Sequence, residues 1–172
     1  MLTLSTSSRY QALQLDADSI DFISALPLDQ KSKTLHVVGA DVDSEHLADC
    51  FCACVVFWRR YGISLKFSNC NLSSNFGRIW TLRKLERIAV NAAFCCPVTS
   101  QRHDHLVLFL SGFTDRRVLG LTPICQESGK PFIAIFCESV ELTLLSKVLI
   151  HEVGHMIGLN HVERNTSVMA RI

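Results

Sequence analysis

The segment from residue 140 to residue 158 is predicted to form a helix that is apolar on almost every side. Such a helix is stable only when other elements cover it, so the rest of the chain must supply layers around it. The composition permits this core, since 48% of the residues are hydrophobic and 19% are charged. The main stripe consists of Leu142, Leu145, Leu149, Val153 and Met156, and Leu144, Val148, Ile150 and Ile157 extend it.

Upstream of this helix, short β-branched and apolar runs alternate with amphipathic runs. This alternation in a chain of 172 residues predicts one α+β domain, in which helices back a mixed, twisted sheet. The predicted strands cover 34–40, 63–67, 105–110, 118–122 and 132–136, and the predicted helices cover 45–61 and 81–94.

Charge and hydropathy argue against several classes of protein. The formal net charge is +1, which is not expected of a strongly basic nucleic-acid-binding protein. No apolar run reaches the roughly 18–20 residues that a membrane helix needs. The N-terminal residues lack the basic start and long apolar stretch of a secretory signal. We therefore expect a cytoplasmic protein that binds neither nucleic acid nor membranes.

The chain contains eight cysteines but no C-x-x-C pair, which argues against a zinc ribbon or a thioredoxin-type site. We predict that most of them are buried thiols in a reducing compartment. A redox or metal-buffer function of Cys50, Cys52 and Cys54 is a weaker alternative. On a helix these side chains point in different directions, so they cannot converge on one ion.

Three histidines and a glutamate interrupt the apolar helix and the turn after it. His151 and His155 are four residues apart, so a helix presents both on one face, where they can bind one zinc ion. Gly158 allows a sharp turn that brings His161 back as a third ligand. This leaves a fourth position for water, as in catalytic zinc sites, and the Glu152 carboxylate can reach that water. Incidental histidines in a buried helix are the alternative, but titrating groups seldom lie there unpaired.

The sequence HEVGHMIGLNH over residues 151–161 resembles the extended zinc signature of the metzincin metallopeptidases. The resemblance implies a zinc-dependent endo- or aminopeptidase in which the three histidines hold one catalytic ion and Glu152 is the general base. Met169 resembles the methionine of the family's Met-turn, which supports the zinc site from below. A further segment resembles the edge strand that pairs with bound substrate in this family. That segment consists of Phe132, Ile133, Ala134, Ile135 and Phe136.

Among the metzincin branches, the layout is most similar to that of the archaemetzincins, and the stretches LHVVGADVDSEHL and VLGLT resemble theirs. That branch holds a second, structural zinc with cysteines, but this chain has Val162 and Ser167 at positions where two of those cysteines are expected. A second zinc is therefore in doubt. The spacing from His161 to Met169 is similar to that of matrixins, whereas the missing cysteine-switch and calcium-loop patterns argue against that branch.

The resemblance divides the single domain, residues 1–172, into an extension (1–30), an N-terminal subdomain (31–158) and a very short C-terminal part (159–172) with the Met-turn. The expected partner is a peptide or protein substrate, and the oligomeric state stays open. The alternative is a zinc-containing module that binds peptides without cleaving them. The retained Glu152 argues against that alternative, because binding alone needs no general base.

The remaining histidines are predicted to lie outside this chemistry. His103 and His105 flank Asp104 just before a strand, where a metal site is the alternative, but we predict that both histidines face solvent in a loop. His36 and His46 are predicted to be edge or surface residues.

Overall fold

The computed structural model describes residues 13–39, 44–69, 79–95, 104–114, 118–126, 128–137, 140–163 and 166–171. The helices in these residues are α1 (Ala17–Ala25), α2 (Ser44–Arg59), α3 (Leu82–Cys95) and α4 (Leu142–Ile157). The strands are β1 (Ser32–Gly39), β2 (Ser64–Asn69), β3 (Ile79–Trp80), β4 (Asp104–Leu110), β5 (Phe113–Thr114), β6 (Gly120–Leu121) and β7 (Ile133–Phe136).

The main sheet has five strands in the order β2-β1-β4-β7-β6. The first four are mutually parallel, and β6 pairs with β7 in the antiparallel sense. A parallel pair needs a crossover connection, and the helical segment α2 lies between β1 and β2 as that rule requires. The short strands β3 and β5 pair in a separate two-stranded sheet. The predicted α+β fold with a mixed sheet backed by helices is therefore confirmed.

The sheet separates two apolar clusters, because successive side chains of a strand point to opposite faces. On one face, alternate residues of β1, β4 and β7 pack with α2 and α4. On the other face, the residues between them pack with α3. Strand β4 is buried along its whole length. The helix α4 is buried through most of its last three turns, so the site-bearing helix lies against the middle of the molecule.

The structure corrects the prediction for Phe132–Phe136. This segment is a strand, as predicted, but it is not the edge of the sheet, because β7 lies between β4 and β6. All five residues are buried, which is typical of an internal strand covered on both faces. The edge is formed by β6, within the predicted strand 118–122. The continuous apolar run FIAIF was the signal for an internal position.

The structure also corrects the predicted exposure of two histidines. His36 and His105 are 3% and 7% exposed, because β1 and β4 have a neighbouring strand on each side. His103 lies outside the described residues, and the side chain of His46 is not described. None of the helices in the described residues has the length and apolar character needed to span a membrane.

Candidate metal centre

The C-terminal end of α4 brings three imidazole rings together. The Nε2 atoms of His151 and His155 are 3.0 Å apart, as expected for residues one helical turn apart. Gly158 ends the helix in the left-handed conformation, with φ of 113°. The chain then turns back, and Nε2 of His161 lies 3.1 Å from the same atom of each of the other two rings. The predicted triad is therefore assembled by one helix and the turn after it.

Backbone carbonyls determine which nitrogen carries the proton on two of these rings. The Nδ1 atom of His151 lies 2.8 Å from the Val168 carbonyl oxygen, and that of His155 lies 2.8 Å from the Leu159 carbonyl oxygen. A carbonyl oxygen only accepts hydrogen bonds, so both Nδ1 atoms must donate. In the neutral rings, the Nε2 atoms of His151 and His155 then carry no proton, so neither can donate a hydrogen bond to the other.

A cation at the centre of the triad would resolve this conflict. Zinc binds imidazole nitrogen at roughly 2.0–2.1 Å, which corresponds to about 3.3 Å between nitrogens in a tetrahedral site. The observed separations of 3.0–3.1 Å are close to that value. All three histidines together satisfy the distance requirement for a common metal ion. The donor set therefore fits a zinc ion.

Two of the three histidines are held in the neutral form that metal binding requires. Burial is the main cause that lowers the pKa of His151 to about 4; the hydrogen bond to Val168 opposes this shift, and the charges of His155 and His161 add to it. Burial also lowers the pKa of His161, with further contributions from His155 and Arg171. Both rings are therefore available as ligands at neutral pH.

Glu152 lies beside the triad, with its carboxylate against the edge strand. The Thr122 hydroxyl donates a 2.6 Å hydrogen bond to Oε2 of Glu152. A Cβ atom added to Gly120 would lie 2.7 Å from Oε1, so only glycine allows β6 this close. Burial raises the pKa of Glu152, while the Thr122 hydrogen bond and His155 partly oppose this. Sequence analysis missed Thr122, since nothing local connects it to a residue 30 positions later.

Met169 lies beneath the helix, on the side of α4 that carries Gly154. It is fully buried, and any side chain at Gly154 would collide with its Sδ atom. Ser167 stabilises this turn, because its hydroxyl accepts a 3.1 Å hydrogen bond from the Met169 amide and donates another to Asp16. The turn also presents the Val168 carbonyl oxygen to His151. Sequence analysis missed the contributions of Ser167 and Asp16, which lie 151 positions apart.

A cavity of about 700 Å³ opens over the triad. Its lining includes residues 118–122, Val148 and Glu152 of α4, and His161 and Arg171. The structure thus brings together the three histidines and Glu152 as predicted. The segment 132–136 does not line this cavity, because β6 lies between it and the opening.

Comparisons with known proteins agree with this geometry. The matrixin family model matches residues 78–172, which is more than half of the chain. Metalloproteinase-II from Bacteroides fragilis superposes with a TM-score of 0.58 at 12% identity, covering 88% of this chain and 53% of that one. An archaemetzincin from Methanopyrus kandleri superposes with a TM-score of 0.56 at 18% identity, covering 83% and 82%. No curated protein matches the sequence significantly.

These identities are low, so the two structural likenesses establish the fold alone. The chain spans about half the length of the Bacteroides fragilis protein. The predicted metzincin resemblance is confirmed, whereas the similarity of layout to the archaemetzincins in particular stays a prediction. The prediction against the matrixin branch was wrong, because the matrixin family model matches residues 78–172. The chain belongs to the matrixin family of metzincin-type zinc metallopeptidases.

Proposed function

We propose that this chain is a zinc-dependent peptidase, with one catalytic ion held by His151, His155 and His161. The observation that carries the proposal is the convergence of three Nε2 atoms beside a buried carboxylate. A structural zinc is normally closed by four protein ligands, and the triad offers three. When bound, zinc supplies a Lewis acid that polarises the peptide carbonyl and lowers the pKa of a water molecule.

Glu152 acts as the general base in this proposal. Its carboxylate takes a proton from the attacking water and delivers it to the nitrogen of the leaving amine. Thr122 holds Oε2 through the 2.6 Å hydrogen bond, so the carboxylate has one orientation before substrate arrives.

The substrate peptide extends the sheet at β6. This strand is at the end of the five-stranded sheet, and only its β7 side is paired in the described residues. A peptide could pair with its other side through main-chain hydrogen bonds, as in other cases of strand addition. The contact between Gly120 and Glu152 keeps that edge next to the general base. This assigns to β6 the role that sequence analysis gave to Phe132–Phe136.

The Glu152→Gln variant tests the proposal against a module that binds peptides without cleaving them. Zinc content should stay at one per chain, because Glu152 is not a ligand, while the cleavage rate should fall about a hundredfold to ten-thousandfold. Peptide affinity should persist, because strand pairing is unaffected. The matched control is Glu141→Gln, at an exposed carboxylate that makes no capping hydrogen bond before α4. It should leave the rate unchanged.

Both variants and the unaltered chain are assayed with one broad library of quenched fluorescent peptides, and metal is quantified by elemental analysis. Cleavage by the zinc-loaded chain that Glu152→Gln abolishes supports the peptidase. A zinc-loaded chain that binds library peptides but cleaves none overturns it in favour of the binding module.

A further inference from the structure

Arg171 gives the cavity a charge that the peptidase mechanism does not use. It follows the Met-turn and lines the cavity. It is the single lysine or arginine among the lining residues, and most of its neighbours in that lining are aliphatic or neutral. A guanidinium presents five hydrogen-bond donors and no acceptor, so this group can bind only a ligand that accepts hydrogen bonds.

Glu152 is the single acidic residue among those that line the cavity, and its carboxylate is already hydrogen-bonded. Glu152 is buried and accepts the Thr122 hydrogen bond. Across the described residues, Arg171 forms no ion pair and no hydrogen bond with a side chain. Arg171 lines the same cavity as His155 and His161, so it belongs to the metal-binding end of that cavity. A ligand reaching that end meets an arginine that the described chain leaves uncompensated.

Building on the proposed peptidase function, we propose that Arg171 forms a carboxylate-binding subsite, and that preferred substrates carry a carboxylate close to the scissile bond. A guanidinium matches a carboxylate with two parallel hydrogen bonds, and a neutral amide cannot reproduce both the charge and that geometry. The aliphatic wall of Val118, Leu119 and Leu121 offers no competing polar partner. The carboxylate could come from an aspartate or glutamate side chain, or from the C-terminus of the peptide.

The test measures binding, so that it does not depend on catalysis. Zinc-loaded Glu152→Gln protein is titrated with fluorescent peptides of one apolar sequence, in which each position in turn is Asp or Asn. A second pair ends in a free carboxylate or in a carboxamide. We expect the acidic member of at least one pair to bind about three- to tenfold more tightly, the size of a partly exposed ion pair.

Substitution of Arg171 assigns that preference to the guanidinium. Adding Arg171→Gln should abolish the ratio, and Arg171→Glu should invert it. Arg171 is exposed, so neither change should impair folding. Arg83→Gln, on the exposed surface of α3 behind the sheet, is the matched control and should leave the ratio unchanged.

The arms separate the possible outcomes. A preference in the Asp/Asn scan identifies an acidic side chain, and a preference confined to the terminal pair identifies a C-terminal carboxylate. Equal affinities within every pair, or a ratio that survives Arg171→Gln, would overturn the subsite. An Arg171-dependent ratio in a protein that cleaves no peptide keeps the subsite and defeats the peptidase. Peptide cleavage without any preference for acidic peptides keeps the peptidase and defeats the subsite.

Discussion

Two groups of histidines can be compared in the described residues, and the rings of only one of them converge on a common point. His151 and His155 point with His161 to one centre, with Nε2 separations of 3.0–3.1 Å. His36 and His105 lie on neighbouring strands of the sheet but point to opposite faces, because Leu35 is the residue opposite His105. Their Nε2 atoms are buried without a hydrogen-bond partner in the described residues. Burial and an unsatisfied nitrogen therefore do not define a metal site.

Each group also has a buried carboxylate, and the two carboxylates differ in how they are hydrogen-bonded. Glu152 accepts a hydrogen bond from Thr122 at 2.6 Å. Asp104 lies 3.4 Å from His36 through Oδ1, and its Oδ2 has no partner in the described residues. The site near α4 is thus held by hydrogen bonds from several elements, whereas His36 Nε2 and Asp104 Oδ2 have no hydrogen-bond partner in the described residues. This organisation distinguishes a preorganised site from buried polar residues.

The largest expected effect is the loss of zinc from a variant of the triad. His155→Ala removes one of three ligands, so affinity should fall by more than the about 100-fold typical of losing a supporting hydrogen bond. His36→Ala should leave one zinc per chain, because that ring has no converging partner. Chelator competition and elemental analysis of folded protein measure both. If His155→Ala retained zinc, or if His36→Ala lost it, the triad would not be the group that determines zinc binding.

His105, on strand β4, should instead make the unfolding free energy depend on pH. Burial lowers the pKa of His105 to about 4, although its contact with the Pro131 carbonyl opposes this. The unfolded chain, with a histidine pKa near 6.5, binds more protons between these values, so stability falls as pH drops from about 6.5 to 4. The loss from this residue should approach about 3 kcal/mol and level off below pH 4.

The measurement compares denaturant unfolding of the unaltered chain and of His105→Gln at several pH values. Glutamine keeps a donor for the Pro131 carbonyl oxygen but does not titrate. The difference in unfolding free energy between the two proteins should change by that amount over the stated window. A difference independent of pH would show that His105 has the same pKa in the folded and unfolded chains, which would contradict the lowered pKa.

The contrast between these groups also explains what the sequence could predict. The triad depends on spacing within one helix and one turn, and residues four apart on a helix always share a face. The burial of His36 and His105 depends on which strands pair with β1 and β4, and no local pattern encodes that order. The same limit applies to the contact between Thr122 and Glu152. The strand segments themselves were predictable from their apolar runs, but the edge position of β6 was not.

The Thr122 contact predicts a moderate effect on rate. Thr122→Val preserves the shape of the side chain and removes the donor to Oε2 of Glu152, so kcat should fall about tenfold or more. KM should change little, because the hydroxyl acts through Glu152. Thr122→Ser restores the donor and should recover most of the rate. A Thr122→Val variant that keeps the full rate, or a Thr122→Ser variant as slow as Thr122→Val, would show that this hydroxyl does not act on the rate through Glu152.

The smallest effect concerns the turn beneath the triad. Ser167→Ala removes the acceptor for the buried Met169 amide and the hydrogen bond to Asp16. The unfolding free energy should fall by about 1–2 kcal/mol, the cost of leaving one amide unpaired. Zinc affinity should weaken less than tenfold, because the Val168 amide still donates to the Gln14 carbonyl oxygen at 2.8 Å and keeps the carbonyl for His151 in place.

Denaturant unfolding and chelator titration of the same samples separate these two quantities. Ser24→Ala is the matched control, because its hydroxyl bonds only the Ile20 carbonyl on the exposed face of α1. It should change neither quantity appreciably. A loss of zinc affinity in Ser167→Ala as large as in His155→Ala would mean that the turn determines the ring geometry. The convergence of the triad would then be a property of the turn as well as of α4.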